Sequence, residues 1–222
     1  MTHKKLYRYY GTLSVILLLL SSVMQAQTPA RGEHVLNLQT GATFYTGHLL
    51  GTAAPSSHLR SGFTWAGNYT YVIGTRATLR PGIGLMYQGN RYTADVPNAS
   101  DKIRTDYLAP QFSLHLINET MCWHLTLGYG YQWYRDAGTV YGKPRKVTMN
   151  KIAGNIGLGG EYRFPRHWGI VAGINYIMAY SDSYSVRYRE ETWEVRPHYR
   201  KGDKVWDDIS QLSVFAGLSY HF

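Results

Sequence analysis

The clearest sign of the fold is the segment WHLTLGYGYQW, residues 123 to 133. Large apolar or aromatic side chains occupy every second position from Trp123 to Trp133, and side chains such as His124 and Gln132 stand between them. A period of two is typical of a β-strand, whereas an amphipathic helix repeats its apolar positions every three or four residues. The stretch therefore predicts a strand with one apolar and one polar face.

The same alternation recurs in other segments along the chain. Together they predict eight strands, at residues 36–44, 63–73, 79–87, 108–116, 123–133, 152–162, 170–180 and 212–222. Strands of about 10 residues are long enough to cross an outer membrane at the usual tilt. An even number of such strands is typical of a barrel that spans a membrane.

The predicted connections alternate between short and long. The short ones lie at about Gly74 and Thr75, at 118–121 and at 165–167, and the long ones are residues 46–60, 91–102, 135–150 and 181–208. We therefore predict an all-β fold, an eight-stranded antiparallel up-and-down transmembrane β-barrel with short periplasmic turns and long extracellular loops. A lipocalin-like or other closed soluble sheet is the alternative.

Aromatic side chains on the apolar face favour the membrane barrel. They cluster near both ends of the predicted strands, as expected for belts that anchor a protein at the two membrane interfaces. The periplasmic belt comprises Tyr69, Tyr71, Trp123, Tyr162, Phe164, Trp168, Tyr220 and Phe222. The outer belt comprises Phe44, Phe63, Trp65, Tyr87, Tyr131, Trp133 and Tyr180.

Composition excludes several classes of protein. The chain has 222 residues, including 20 Tyr and 23 Gly, and only 17% are charged, which argues against a disordered chain. A mean hydropathy of -0.31 and the lack of a long apolar run after the amino-terminal region exclude a helical membrane protein. The single cysteine, Cys122, excludes a disulfide framework and a cysteine-cluster metal site.

The amino-terminal segment has the three parts of a secretory signal peptide. Basic residues precede an apolar stretch over residues 13–23, and Ala26 offers a small residue for cleavage. We predict a signal peptide over residues 1–26 and an outer-membrane β-barrel over residues 27–222. An uncleaved anchor helix is the alternative, although the apolar stretch is short for spanning a bilayer.

The end of the chain, LSVFAGLSYHF over residues 212–222, resembles the assembly signal of outer-membrane barrels, with Phe222 last and Tyr220 two positions before it. The mature chain resembles the small eight-stranded families described as outer membrane protein beta-barrel domain, which include OmpX-like and PorT-like members. The resemblance implies insertion into a Gram-negative cell envelope by the barrel assembly machinery. These families include adhesins and accessories of secretion or conjugation, so the resemblance implies no single activity.

The polar face of the predicted strands would line the lumen. Side chains just fill an eight-stranded lumen, so these residues predict a polar plug: Arg80, Gln88, Gln111, His115, His124, Gln132, Asn155, Glu161 and Arg163. Within it we predict an ion pair between Arg80 and Glu161. His115 and His124 should lie opposite each other. A polar pair is favoured over a metal site there because no third ligand is evident, and we predict no metal and no cofactor.

An outer-membrane enzyme that hydrolyses or transfers lipid acyl chains is the rival function. Such chemistry needs a Ser, a His and an acidic residue near the outer leaflet. Residues of these types are His48, Ser56, Ser57, His58, Asp101, Asp136, Asp182 and Glu190. They lack the compact His-x-Ser spacing of a lipid A deacylase, so we predict a noncatalytic protein with no catalytic residues.

The last long connection is the predicted binding surface. Aromatic and β-branched residues alternate from Tyr184 to Val195, as expected for a hairpin that continues above the membrane with an open edge. Basic residues interleave with them: Arg187, Arg189, Arg196, Arg200, Lys201 and Lys204. A solvated loop of mixed charge is the alternative.

These basic residues favour an anionic ligand. Guanidinium groups bind phosphate and carboxylate through paired hydrogen bonds. We therefore expect outer-membrane lipid including lipopolysaccharide, or an unknown surface or envelope protein, and we expect no nucleic acid. A structural accessory of a secretion or conjugation complex is a third role that the sequence leaves open.

Overall fold

The computed structural model describes residues 32–46, 60–74, 78–165, 167–181, 183–196 and 207–222. The strands within them are β1 Glu33–Tyr45, β2 Ser61–Val72, β3 Leu79–Val96, β4 Ala99–Ile117, β5 Met121–Val140, β6 Lys143–Arg163, β7 Trp168–Met178, β8 Tyr180–Ser181, β9 Tyr184–Tyr188, β10 Glu191–Val195, β11 Asp207–Asp208 and β12 Gln211–His221. No helix in this part of the chain has the length and apolar character needed to cross a membrane. The predicted signal peptide, residues 1–26, lies outside the described residues.

Eight of these strands close into a ring. β1 to β6 each pair antiparallel with the next strand, and β12 pairs with both β7 and β1. The closing register places Leu38 opposite Leu218 and Ala42 opposite Val214. A shift of one residue would turn every side chain of a strand to the other face, so the two-residue period fixes this register. The predicted eight-stranded antiparallel barrel is confirmed.

The two faces of the barrel wall differ in polarity. Outward side chains such as Leu38, Tyr129 and Leu218 are apolar and more than half exposed, whereas the inward amides of Gln88 and Gln132 are fully buried. A soluble barrel buries its apolar face inside. A wall that is apolar on the outside and polar on the inside suits a barrel surrounded by lipid.

Hydrogen bonds cross the full width of the lumen. β3 and β7 stand on opposite sides of the ring, and Nδ2 of Asn175 on β7 donates to Oε1 of Gln88 on β3 at 2.9 Å. Gln88 donates to Oγ of Ser213 at 2.8 Å, and Asn155 donates to Oδ1 of Asn175 at 2.8 Å. A lumen cavity of about 30 Å³ has room for only about two waters. The predicted polar plug is present.

The prediction of long loops at residues 91–102 and 135–150 is wrong. Strands β3 to β6 contain 18 to 21 residues each, about twice the length needed to cross a membrane. Only two residues join β3 to β4, and only two join β5 to β6. Asn98, Tyr141 and Gly142 have positive φ angles of 66°, 49° and 72°, which such tight hairpin turns favour.

Residues 91–104 and 135–148 form the outer part of the wall, which we name the extracellular sheet. In this sheet the polarity of the two faces is reversed. Its inward side chains are mainly apolar and almost fully buried, among them Tyr92, Ile103, Tyr134 and Val147. Apolar residues change face because the wall meets lipid below this level and encloses a protein core above it. A change of parity resembles the end of a strand, which explains the incorrect loop prediction.

The hairpin predicted within residues 181–208 is confirmed. β9 and β10 pair antiparallel, and β9 also pairs with β6 at residues 145–148. Among the described strands, β10 pairs with β9 alone, so its outer edge is open as predicted. The predicted short connections between β4 and β5 and between β6 and β7 are also present. Most of the remaining long connection, residues 46–60, lies outside the described residues.

Candidate functional site

A groove on the outward face of the extracellular sheet collects basic side chains from three strands. Lys102 of β4, Lys146 of β6 and Arg187 of β9 line it, together with Arg189 and the acidic Glu190 from the β9–β10 turn. All five residues are exposed. The groove encloses about 730 Å³, which is within the usual range for a ligand site. We name it the basic groove.

Strand pairing brings these residues together. Lys146 lies opposite Ala137 of β5 on one side and opposite Arg187 of β9 on the other. Neighbouring strands are about 4.8 Å apart, so the Lys146 and Arg187 side chains stand side by side. Arg189 has a φ of 52° in the turn, and its guanidinium carbon lies 5.4 Å from the centre of the Tyr188 ring. This cation–π contact helps to orient the guanidinium group.

A buried ionic cluster stands on the other face of the same sheet. Nη1 of Arg145 lies 3.2 Å from Oδ1 of Asp101 and 2.9 Å from Oδ2 of Asp136. Both carboxylates are fully buried, and Asp136 lies beyond Trp133 of the outer aromatic belt. Burial, followed by the neighbouring Asp101 carboxylate, raises the pKa of Asp136 to about 7, while Arg145 lowers it. The cluster ties together the three strands β4, β5 and β6.

The chemistry of the basic groove suits anion binding. Four exposed cationic side chains against one exposed carboxylate leave an excess of positive charge, which attracts anions from solution. Among the described lining residues there is no histidine or cysteine. The hydroxyl groups of Ser100 and Thr139 bond to each other at 2.9 Å. The groove can therefore hold carboxylate or phosphate groups through charge-assisted hydrogen bonds.

The structure divides the predicted basic residues into three groups. Arg187 and Arg189 line the basic groove. Arg196 is 77% exposed and pairs with Glu194, with 3.3 Å between Nη2 and Oε2. Arg200, Lys201 and Lys204 lie outside the described residues. Binding by any of these six residues remains a prediction.

Sequence patterns alone do not identify Lys102 and Lys146. Both fall in segments that the alternation predicts as loops, and Lys146 stands beside Arg187 only because β6 pairs with the distant strand β9. The sequence does contain one pattern that predicts the outward direction of both side chains. Lys102 shares its parity with Arg104, and Lys146 with Thr148, so a strand that continued through these segments would turn all four side chains outward.

Glu161, one member of the predicted lumen pair, lies at the short-turn end of the lumen. It contacts Ser219 and His221 of β12, and its Oε2 lies 3.6 Å from Nε of Arg163. Arg80 is half-buried on the inward face of β3. A contact between Arg80 and Glu161 remains a prediction.

The two lumen histidines are arranged as predicted. His115 lies opposite His124 in the β4–β5 pairing, with 5.7 Å between ring centres. Cys122 is fully buried, and its Sγ lies 3.7 Å from Nδ1 of His115. Gly159 makes room for His124, because a Cβ there would lie against the Nε2 atom of the imidazole. The described ranges contain no group of three His, Cys, Asp or Glu side chains that could hold a metal ion.

Three of the acidic and hydroxyl candidates for lipid hydrolysis are described. Asp101 and Asp136 bind Arg145 inside the extracellular sheet, and Glu190 lines the basic groove. The other candidates, His48, Ser56, Ser57, His58 and Asp182, lie outside the described residues.

Solved structures with a similar fold are outer-membrane proteins. OprG from Pseudomonas aeruginosa matches with a TM-score of 0.56 and 14% identity, over 88% of this chain and 98% of OprG. A major outer membrane protein from Thermus thermophilus matches with a TM-score of 0.55 and 12% identity, over 85% of this chain and 99% of that protein. At these identities the likeness shows the fold alone. No curated protein matches the sequence.

A family model settles the assignment that the barrel suggests. The model described as "Outer membrane protein beta-barrel domain" matches residues 13–222, which is nearly the whole chain. A match to this family indicates that the protein is located in the bacterial outer membrane. The chain belongs to the outer membrane protein beta-barrel domain family.

Proposed function

We propose that this protein is a noncatalytic outer-membrane barrel that binds an acidic envelope or surface protein through its basic groove. The observation that carries the proposal is the convergence of Lys102, Lys146, Arg187 and Arg189 from separate strand segments on one cavity. Four cations on a paired sheet form a fixed pattern of charge. Such a pattern favours a partner that presents several carboxylates at once.

The height of the groove favours a protein over membrane lipid. Lys146 lies opposite Ala137, four residues beyond Trp133 on β5. At about 3.4 Å per residue, the groove is about 14 Å farther along the strand than the outer aromatic belt. Aromatic belts mark the level of the lipid headgroups. The groove therefore faces the space in which a partner protein approaches.

The defined probe for this proposal is a synthetic peptide of ten glutamates. Its affinity for the detergent-solubilised barrel is measured by thermophoresis at low and high salt. Replacing Lys146, Arg187 and Arg189 together with Gln should weaken binding about tenfold at low salt. High salt should remove most of the difference, because exposed charges are screened within about 10 Å at 0.1 M ionic strength.

The matched control is Arg196→Gln, which removes an exposed arginine that already pairs with Glu194. It should leave peptide affinity nearly unchanged. Equal weakening by the control would show that net charge alone matters. If purified lipopolysaccharide binds through the three groove residues and the peptide does not, the ligand is a lipid. Release of fatty acid from outer-membrane lipid by the purified protein, detected by mass spectrometry, would establish the rival enzyme.

The predicted biogenesis belongs to the same proposal. We infer that residues 1–26 direct export and that the barrel assembly machinery inserts the mature chain, with Tyr220 and Phe222 as its assembly signal. The structure supports the second part through position, because both side chains point outward at the end of β12.

A further inference from the structure

Three arginines form a row on the outward face of the barrel wall. Arg91 of β3 lies opposite Arg104 of β4, and Arg104 lies opposite Arg135 of β5. All three have the parity of the outward face, and Arg104 and Arg135 are exposed. Neighbouring strands are about 4.8 Å apart, so the three side chains leave the wall at adjacent positions. We name this set the arginine row.

The arginine row lies just beyond the outer aromatic belt. The next outward row toward the barrel places Gly89 opposite Trp65, and Asp106 opposite Trp133. Two residues along a strand span about 7 Å. Because the indole rings mark the headgroup level, guanidinium groups one step beyond them stand at the depth of lipid phosphates.

One carboxylate holds two of the three arginines in place. Asp106 lies 2.7 Å from Nε of Arg104 and 3.6 Å from Nη1 of Arg91, and it accepts a hydrogen bond from the Tyr87 hydroxyl at 2.7 Å. Arg104 donates to Oδ2 of Asp106 through Nε. Asp106 itself is only 8% exposed.

Arg135 supplies charge that no side chain in the described ranges neutralises. Within the described residues, its side chain forms no ion pair or hydrogen bond. Among the described residues, the row therefore combines one guanidinium that has no acidic partner with two that share a single carboxylate. Below the row that holds Asp106 and Trp133 the wall is apolar, with Leu85 and Leu108 exposed on β3 and β4. Cations above an apolar wall match an amphipathic molecule with an anionic head.

We propose that the arginine row binds a phosphate group of an outer-leaflet phosphorylated glycolipid, with the acyl chains against the apolar wall below it. Guanidinium groups give two parallel hydrogen bonds to a phosphate, and adjacent guanidinium groups can hold one phosphate from two sides. This lipid site is separate from the basic groove and does not depend on the proposed partner protein.

The experiment counts lipid retained by the folded barrel in native mass spectrometry. The barrel in detergent is titrated with bisphosphorylated lipid A, with lipid A from which the phosphates have been removed, or with inorganic phosphate as a competitor. The test variant is Arg104→Gln with Arg135→Gln. The control is Lys143→Gln with Arg196→Gln, which removes the same charge from exposed positions outside both the arginine row and the basic groove.

The test variant should bind bisphosphorylated lipid A about tenfold more weakly, a change of about 1.4 kcal/mol, and the control should bind it like the native protein. The dephosphorylated lipid should bind the native protein as weakly as the phosphorylated lipid binds the test variant. Equal weakening by both variants, or equal binding of the two lipids, would overturn the proposal. Displacement of lipid A by an equal concentration of inorganic phosphate would assign the site to free phosphate instead.

Folding is checked by the shift in gel mobility on heating. Because Arg104 pairs with Asp106, its replacement can disturb the wall. Arg135→Gln alone removes no internal contact of the described residues. This single variant should still bind lipid A several-fold more weakly, and native affinity in it would overturn the proposal.

Discussion

His221, in the last strand of the barrel, is joined to Glu33, in the first strand, with 2.8 Å between Nδ1 and Oε1. The other ring nitrogen of His221 contacts Glu161 of β6. Nη1 of Arg163 lies 3.3 Å from Oε2 of Glu33. One imidazole therefore links β1, β12 and β6 at the short-turn end of the lumen, where the two ends of the sheet meet.

Removing either side of the His221–Glu33 contact should destabilise the barrel. We expect Glu33→Gln and His221→Gln to be non-additive, with a coupling free energy of about 1 to 3 kcal/mol, because each removes one of the polar partners of the other group. The measurement is urea unfolding in detergent, followed by tryptophan fluorescence. Glu119→Gln makes the same chemical change in an exposed turn and should have almost no effect. Additive effects would mean that the contact contributes nothing to closure.

Glu161 should depend on Arg163 for its stability in the lumen. Removing one partner of a buried ion pair can cost about 3 to 5 kcal/mol, so Glu161→Ala should be more harmful alone than when combined with Arg163→Ala. The same cycle with Arg80→Ala tests the predicted Arg80–Glu161 pair. Coupling with Arg163 and additivity with Arg80 would assign Glu161 to its neighbour on β6 and reject the longer contact.

Phe222→Ala should reduce the amount of folded protein in outer membranes. The Phe222 ring stacks on His34 with 5.5 Å between ring centres, and the backbones of these residues exchange hydrogen bonds of 3.0 and 3.1 Å. The ring therefore seats the end of the chain against β1, in addition to its predicted role as an assembly signal. The assay is the heat-modifiable band in membrane fractions. Phe164→Ala, which removes an exposed ring from the same aromatic belt, should have a smaller effect.

The extracellular sheet should loosen as the pH rises. The pKa of Asp136 is raised from 3.8 to about 7, so the folded state holds a proton that the unfolded state releases. The contribution of Asp136 to the free energy of unfolding is complete below about pH 4. It is lost as the pH rises through 7, and the loss amounts to up to a few kcal/mol. Hydrogen exchange of β4 to β6, corrected for the intrinsic rate at each pH, should be faster at pH 8 than at pH 5.

Asp136→Asn should abolish this pH dependence, because the amide does not ionise. Asp95→Asn changes an exposed carboxyl of the same sheet and should leave the pH dependence unchanged. The same pH dependence in Asp136→Asn would show that another group causes it.

The barrel should not conduct ions. The Gln88–Asn175 bond spans the lumen, and the core of the extracellular sheet closes the outer mouth with Tyr92 and Tyr134. In planar bilayers we expect no stable conductance steps above background. Regular steps would show that the polar plug moves or opens.

Much of the fold is predictable because lipid imposes a simple rule on side chains. From Trp123 to Trp133 every outward position must be apolar, so the strand and its faces follow directly from the alternation. The rule fails at Arg91, where the wall leaves the membrane. Tyr92 and Tyr134 then take the inward face that Gln88 and Gln132 occupy lower down, and the alternation changes phase without ending the strand.

The candidate site is less predictable because it depends on which strands are neighbours. Arg187 and Arg189 stand out among the aromatic residues of the last connection. Lys146 joins them only because β9 folds back onto β6, a pairing between distant segments. Likewise, nothing in the local sequence shows that Arg104 stands between Arg91 and Arg135.

The two-residue tips of the β3–β4 and β5–β6 hairpins make the outer surface a continuation of the wall. Fixing a flexible backbone costs roughly 1 to 2 kcal/mol of entropy per residue, but paired strands have already lost that freedom when the barrel folds. A ligand of this surface meets a preorganised frame, so little of its binding free energy is used to order the protein. New specificities can then arise by exchanging outward side chains while the backbone and the core behind it stay unchanged.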